Sequence, residues 1–210
     1  MRVLIVDDHD VLASSLAMVL DHEPDLVTAG VANTLAGARG LMATAAPDVV
    51  LLDHRLPDGD GVDAIPELLA VRPSARIVVL TASAAEHVLV AAIEAGAAGF
   101  VSKTRSIAEV TAAVRAAAAG ESVISPELLA RLLPRLQRGG TARRTELTER
   151  EREVLALVAD GLSNAAIADS LIVSVHTVRN HIANLSTKLG AHSKLEALSI
   201  ALRQGLLPDL

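Results

Sequence analysis

The first 120 residues of this 210-residue chain follow one repeating pattern of apolar and polar positions. Short apolar runs that suit strands alternate with longer amphipathic stretches that suit helices. The predicted strands are Val3–Val6, Leu26–Val31, Val49–Leu52, Ile77–Leu80 and Gly99–Val101. The predicted helices are Val11–Leu20, Leu35–Ala45, Val62–Val71, Glu86–Ala95 and Ile107–Ala119. Because repeats of this size build a parallel sheet with helices on both faces, residues 1–120 are predicted to form an α/β domain with a five-stranded parallel sheet.

The pattern changes after residue 120. Residues 121–146 are predicted to form a linker, in which a short helix opens at Pro126 and is interrupted or bent at Pro134. A flexible segment with two glycines and three arginines follows that helix. Residues 147–210 carry helix signals and no strand pattern, so they are predicted to form an all-α domain of four helices.

Start signals locate several of these helices. Capping boxes of the form Ser/Thr-x-x-Glu begin at Ser83, Ser106, Thr148 and Ser193. The four C-terminal helices are predicted at 148–160, Asn164–Leu171, Val175–Leu189 and 193–204. A three-residue turn joins the second helix to the third. Two helices joined in this way are typical of a helix-turn-helix, whose second helix enters the major groove of DNA.

Composition excludes several classes of protein. The chain has no cysteine, which rules out a disulfide framework and a thiolate metal site. The apolar run before the first acidic residue is only four residues long, too short for a signal peptide, and no apolar run approaches the ~18 residues of a membrane span. We therefore expect a cytoplasmic protein with no membrane partner. Phe100 is the only aromatic residue, so stacking of aromatic side chains on bases is not available.

Charge is distributed unevenly along the chain. Residues 1–120 carry 15 acidic and 8 basic side chains, whereas residues 121–210 carry 10 acidic and 11 basic side chains. The segment 147–210 is not globally basic, with 6 basic and 7 acidic residues, which weakens the simplest electrostatic argument for DNA binding. However, residues 170–195 contain no acidic residue and include Arg179, Lys188 and Lys194. The predicted positive face is therefore local, and it coincides with the second helix of the helix-turn-helix.

Polar groups follow the predicted strands at the point where each ends. They are Asp7 and Asp8, Asp53, Thr81, and Ser102 with Lys103. Three carboxylates at one sheet edge repel each other, so a divalent cation or a lysine is expected among them. Oxygen ligands suit Mg²⁺, and a hydroxyl with an ammonium suits a transferred phosphoryl group. Each residue alone is more often a helix cap or a solvated side chain, but the combination favours chemistry.

The N-terminal half resembles a two-component receiver domain, and the whole chain resembles the NarL/FixJ family of response regulators. The resemblance is carried by the segments 4–9, 52–61, 80–82 and 99–103. It implies a flavodoxin-like (βα)5 fold in which Asp53 is the phosphoacceptor. It also implies that Asp8, Asp53 and the main-chain carbonyl of Arg55 bind Mg²⁺, with Asp7 assisting through water. Thr81 and Lys103 would contact the phosphoryl group, and Phe100 stands at the switch position where tyrosine is frequent.

The C-terminal half resembles the LuxR-type DNA-binding domain in the segments 147–155, 161–164, 177–182 and 188–190. By this resemblance Arg179, Asn180 and Ala183 face the groove, where Asn180 could pair with adenine and Arg179 with guanine or a phosphate. Ala183 replaces a lysine that is often found there. Thr177 and Lys188 are expected to contact phosphates. The last helix resembles the dimer surface of the family through Leu195, Leu198 and Leu202, although core packing explains part of that stripe.

These observations predict a transcription regulator with a receiver domain (1–120), a linker (121–146) and a DNA-binding domain (147–210). A sensor histidine kinase would phosphorylate Asp53, and homodimers would then bind promoter double-stranded DNA. The protein would hold the phosphoryl group rather than act as a turnover enzyme. Two alternatives are an atypical receiver without a phosphoryl switch, and a Mg²⁺-dependent phosphatase on a flavodoxin-like sheet. The complete set of strand-end residues argues against the first, and the helix-turn-helix argues against the second.

Overall fold

A computed structural model of the chain describes residues 1–82, 85–137 and 145–207. Its strands are Arg2–Val6 (β1), Val27–Ala32 (β2), Val49–Asp53 (β3), Arg55–Leu56 (β4), Gly59–Asp60 (β5), Arg76–Thr81 (β6) and Gly99–Ser102 (β7). Its helices are Asp10–His22 (α1), Leu35–Ala45 (α2), Gly61–Val71 (α3), Glu86–Glu94 (α4), Ile107–Ala118 (α5), Pro126–Leu136 (α6), Glu149–Ala159 (α7), Asn164–Leu171 (α8), Val175–Leu189 (α9) and Lys194–Arg203 (α10).

Five strands form one parallel sheet in the order β2-β1-β3-β6-β7, as the sequence predicted. The central strands are buried on both faces, which explains their continuous apolar runs. Val3 and Ile5 of β1 contribute to the core on the side of α1 and α5. Leu4 and Val6 contribute to the core on the side of α2 and α3. This alternation is the two-residue period of a strand.

Three details of the predicted elements were wrong or incomplete. Ser83, where one predicted capping box begins, lies outside the described residues, and α4 begins at Glu86 with Ala85 at its N-cap. Helix α6 continues past Pro134 to Leu136, because a proline in the last turn removes only one late backbone bond. The short antiparallel pair β4–β5 was not predicted. The predicted Gly/Arg linker segment, 138–144, lies outside the described residues.

Helices α7 to α10 form the C-terminal helical unit. Thr148 closes the predicted capping box of α7, and Ser163, Ser174 and Ser193 cap α8, α9 and α10 by accepting a hydrogen bond from a backbone N–H group. The turn between α8 and α9 passes through Ile172, which is exposed and has a left-handed φ of 55°. A β-branched residue is rarely found in that conformation. Within the described residues, no helix is both long and apolar enough to cross a bilayer.

The helical unit packs against the α/β unit through α10 and α4. Leu89 and Ile93 of α4 share one apolar cluster with the leucines of α10. The hydroxyl of Ser193 donates to the main-chain carbonyl of Ala97, 2.8 Å away. The guanidinium of Arg76, at the start of β6, donates to the carbonyl of His192. We call this packing of the two units the closed arrangement.

Candidate functional site

The predicted strand-end residues meet at one edge of the sheet, because β1, β3, β6 and β7 are parallel neighbours. Asp7 follows β1, Asp53 ends β3 and Thr81 ends β6. Asp7 and Asp53 are buried, with 0% and 3% of their surface exposed. Two ionised carboxylates in such a position need a nearby positive charge, since burial without one is costly.

Lys103 supplies that charge. Its ammonium lies 2.7 Å from a carboxylate oxygen of Asp53 and 2.7 Å from one of Asp7. Burial alone would lower the pKa of Lys103, but the hydrogen bonds that its ammonium donates to Asp53 and Asp7 outweigh burial and raise the pKa above its usual value. Lys103 therefore stays cationic and bridges the two carboxylates.

Carboxylates and one imidazole converge beside this lysine. Ligand atoms of Asp7, Asp8, His9 and Asp53 all lie within 4.8 Å of one another. The Nδ1 atom of His9 lies 3.0 Å from Asp7 and 2.8 Å from Asp8. Three carboxylates suit a hard cation such as Mg²⁺, and Asp8 is partly exposed, which leaves room for water ligands. The donor set therefore fits the predicted ion.

The loop after β3 is held close to Asp53. The main-chain N–H of Arg55 donates to the Asp53 carboxylate at 3.3 Å, which places the backbone of Arg55 beside the acidic cluster. Gly61 allows the backbone at the start of α3 to pass close to Asp53, because a Cβ at this position would lie 2.1 Å from the carbonyl oxygen of Asp53. Asp58 accepts hydrogen bonds from the N–H groups of Leu35 and Ala36 and so fixes the loop to α2.

Thr81 and Phe100 line the opposite side of this edge. The hydroxyl of Thr81 is buried and has no hydrogen-bond partner among the residues that the structure describes. A new oxygen acceptor near Asp53 would satisfy it. Phe100 is half-buried and contacts the core of the α/β unit and the cluster that contains α10. Both residues lie in one pocket with Leu128 of α6, so the strand edge connects to the linker helix.

Helix α9 presents the predicted DNA-reading residues on its surface. Arg179, Asn180 and Ala183 are exposed, Thr177 is half-exposed, and Val178 and Ile182 are buried. The amide nitrogen of Asn180 lies 3.2 Å from Nε2 of His176, one turn earlier. This face is not open to a duplex in the closed arrangement, because it lines a cleft of about 600 Å³ whose other wall is the α/β unit.

The predicted phosphate contact Lys188 and the predicted dimer leucines of α10 contact other residues of this chain in the closed arrangement. Lys188 was expected at a DNA phosphate, but its ammonium lies 2.7 Å from the buried carboxylate of Glu151. Leu195, Leu198 and Leu202 were expected on a dimer surface, but they are 1%, 0% and 7% exposed. The leucines are covered because α4 and the core of the helical unit pack on both sides of α10. These leucines therefore pack within this chain in the closed arrangement, and their role in a dimer stays a prediction.

Sequence reasoning missed the contacts that join the two units. Lys194 was counted in the positive face, but it is buried and its ammonium lies 3.5 Å from the carboxylate of Glu121. The same carboxylate accepts hydrogen bonds from the backbone N–H of Asn164. His9 was also missed, although its position directly after Asp7 and Asp8 could have suggested it.

Known proteins share this architecture. Residues 3–115 match the response regulator receiver domain, and residues 145–201 match the luxR family of bacterial regulatory proteins. The chain is 35% identical to the DNA-binding transcriptional activator DevR/DosR of Mycobacterium tuberculosis, over 95% of this chain and 93% of that protein. It is 33% identical to the transcriptional regulatory protein LiaR of Bacillus subtilis, over 98% of this chain and 99% of that protein.

Solved structures agree over nearly the full length. The response regulator ChrA of a heme-sensing two-component system is 30% identical, covers 98% of both chains and gives a TM-score of 0.51. RcsB of Salmonella enterica serovar Typhimurium, bound to a promoter in the presence of the phosphomimetic BeF3−, is 25% identical, covers 97% of this chain and 98% of RcsB, and gives a TM-score of 0.57. The chain therefore belongs to the NarL/LuxR family of two-component response regulators, transcription regulators that join a receiver domain to a LuxR-type DNA-binding domain.

Proposed function

We propose that Asp53 accepts a phosphoryl group from a partner sensor histidine kinase and that this event controls promoter binding. The observation that carries the proposal is the Lys103 ammonium at 2.7 Å from both Asp53 and Asp7. A carboxylate oxygen of Asp53 would attack the phosphorus of a phosphohistidine, and the histidine of the kinase would leave. Lys103 offsets the charge of the transferred group.

The acidic cluster would hold Mg²⁺ through Asp8, Asp53 and the main-chain carbonyl of Arg55, with Asp7 contributing through water. When bound, the ion supplies positive charge to the phosphoryl oxygens. The residues of the chain position the acceptor and the lysine. Asp7 keeps Lys103 beside the acceptor, and the loop that begins at Arg55 holds the Asp53 carboxylate in place.

Phosphorylation of Asp53 would bias the receiver between two conformations. A phosphoryl oxygen gives the unpartnered hydroxyl of Thr81 an acceptor, and the movement of Thr81 makes room for Phe100. Phe100 contacts the cluster that contains α10, so its movement weakens the closed arrangement. This relay supports a regulator that stores a signal rather than an enzyme that turns over.

Opening would provide two functional surfaces at once. The face of α9 with Arg179, Asn180 and Ala183 would leave the receiver and enter the major groove, with Thr177 beside it at a phosphate. Helix α10 would leave α4, so that part of its leucine stripe becomes available to a second copy of the chain. Lys188 stays paired with Glu151 as long as α7 and α9 remain packed. Homodimers would then read paired half-sites on promoter DNA.

The direct test is an intact-mass measurement after incubation with Mg²⁺ and acetyl phosphate. The wild-type chain is expected to gain one phosphoryl group, and Asp53→Asn is expected to gain none. Removal of Mg²⁺ with a chelator should prevent labelling. Labelling of Asp53→Asn, or no labelling of the wild type under conditions that label a control receiver domain, would overturn the proposal.

A further inference from the structure

The N-terminus of α8 already holds an anion in the closed arrangement. Both oxygens of the Glu121 carboxylate lie 3.0 Å from the backbone nitrogen of Asn164, the first residue of α8. Glu121 belongs to the segment between α5 and α6, so this contact joins the receiver side of the chain to the helix-turn-helix. Anions bind at helix N-termini because backbone N–H groups point outward and the helix dipole is positive there.

A buried lysine completes the site. The ammonium of Lys194 lies 3.5 Å from Glu121 and donates hydrogen bonds of 3.0 Å to Leu162 and to the side-chain oxygen of Asn164. Burial lowers the pKa of Lys194, and the negative charge of Glu121 opposes that effect. The side-chain nitrogen of Asn164 is buried and has no partner among the described residues. This arrangement therefore offers more donors than Glu121 uses.

The site faces the same space as the DNA-reading residues. Asn164, Lys194 and Glu121 line the interdomain cleft together with Arg179, Asn180 and Ala183 of α9. In a helix-turn-helix, the second helix lies in the major groove while the first crosses the DNA backbone. Helix N-termini and lysines are common contacts to that backbone. A duplex that replaced the receiver against α9 would bring phosphates toward the N-terminus of α8.

We propose that the N-terminus of α8 and the Lys194 ammonium form a binding site for a DNA backbone phosphate, and that the Glu121 carboxylate occupies this site in the closed arrangement. The proposal rests on the DNA-binding role proposed above. Glu121 then acts as an intramolecular competitor of DNA, since the carboxylate and the phosphate need the same donors. Opening of the chain removes the carboxylate and frees the site.

The test measures binding of the full-length chain to a random-sequence duplex at several salt concentrations. Each neutralised phosphate contributes a slope of about −0.9 to the plot of log affinity against log salt, which corresponds to about eightfold in affinity for each tenfold change in salt concentration. Lys194→Met is expected to reduce the slope of the phosphorylated chain by about one and to weaken binding to all sequences alike. Arg152→Gln is the matched control, because Arg152 is an exposed cation of α7 that does not line the cleft.

A second variant, Glu121→Gln, tests whether Glu121 competes with DNA for the site. It is expected to strengthen binding of the unphosphorylated chain several-fold and to leave the phosphorylated chain unchanged, because the competitor has already left the site there. Circular dichroism checks that both variants keep their helices. A slope that does not change in folded Lys194→Met would overturn the proposal. An unchanged affinity of unphosphorylated Glu121→Gln would overturn the role of competitor.

The phosphate site can also be tested without transfer of a phosphoryl group to Asp53. If acetyl phosphate failed to label the chain, the Lys194→Met comparison could be made in the Glu121→Gln background. A reduced slope there would support the phosphate site even though the proposed phosphoacceptor had failed.

Discussion

The hydroxyl group of Ser193 donates a hydrogen bond to the main-chain carbonyl of Ala97, 2.8 Å away, and so fixes the start of α10 to the receiver. The same hydroxyl caps α10 by accepting from the N–H of Glu196. One serine therefore serves both the stability of a helix and the contact between domains. An aspartate could keep the first role and lose the second, because a carboxylate caps a helix but cannot donate.

Ser193→Asp is expected to open the chain without unfolding α10. Loss of one hydrogen bond of about 1 kcal/mol shifts the balance between closed and open forms by roughly fivefold. The affinity of the unphosphorylated chain for a random-sequence duplex should rise by a similar factor. Thr148→Asp is the control, since it adds a carboxylate at the exposed N-cap of α7. An unchanged affinity in a folded Ser193→Asp variant would contradict this role of the contact.

Lys103→Gln should slow phosphorylation of Asp53. A hydrogen bond to a charged group contributes ~1.5–3 kcal/mol, so we expect labelling by acetyl phosphate to slow by about tenfold or more. The time course of the phosphoryl adduct in intact-mass spectra measures this effect. Arg105→Gln removes the same charge from an exposed pair with Glu109 and should label at the wild-type rate. Equal rates in the two variants would exclude a role for Lys103 in the transfer.

Asn180→Ala should relax sequence preference. A good bidentate contact to adenine contributes ~1–3 kcal/mol of discrimination against the wrong base. The measurement uses a duplex enriched from a random pool by the wild-type chain, compared with variants at each adenine. Loss of discrimination is expected at one position, with little change in binding to random DNA. Retention of the full wild-type preference would mean that Asn180 does not read a base.

The pair between Lys188 and Glu151 should stabilise the helical unit in a pH-dependent way. Burial alone would raise the pKa of Glu151, but hydrogen bonds from Lys188 and from the backbone and side chain of Thr148 lower it overall. The unfolded chain therefore binds a proton more readily at this carboxyl, so its contribution is present above about pH 4.3 and is lost as pH falls through the lower folded pKa.

Urea unfolding from pH 7 to pH 3 measures this contribution. The difference in unfolding free energy between the wild type and Glu151→Gln is expected to be largest near neutral pH and to shrink below pH 4. A difference that stays constant across that range would contradict the assignment. The same experiment on Lys188→Met should also show a loss of stability at neutral pH, because the buried Glu151 carboxylate loses its partner.

Much of the fold and of the phosphoryl site could be predicted from the sequence. Asp7, Asp53 and Lys103 were predicted to converge because parallel strands carry their final residues to one edge. The helix-turn-helix was also predicted from local signals, and the structure shows Ser163 and Ser174 capping its two helices. Such features depend on the spacing of apolar residues within one element and on the residues next to it, and both can be read from a single sequence.

The contacts between distant segments could not be predicted in this way. A leucine stripe such as Leu195 and Leu198 shows that a surface will be covered, but it does not show whether α4 or another chain covers it. The pairing of Lys194 with Glu121 joins residues 73 positions apart and depends on how the two units pack. Charge patterns likewise placed Lys188 in the positive face, but they could not show that its ammonium pairs with Glu151.

Phosphorylation of Asp53 is expected to open the closed arrangement and to free α9 for DNA. The most direct measurement is the affinity for a duplex enriched from a random pool, taken before and after treatment with Mg²⁺ and acetyl phosphate, with the phosphoryl content of each sample read by intact mass. We predict that affinity rises as the phosphorylated fraction increases in the wild type and stays at its initial value in Asp53→Asn. A fully phosphorylated wild-type chain that binds DNA no better than the untreated chain would contradict the account.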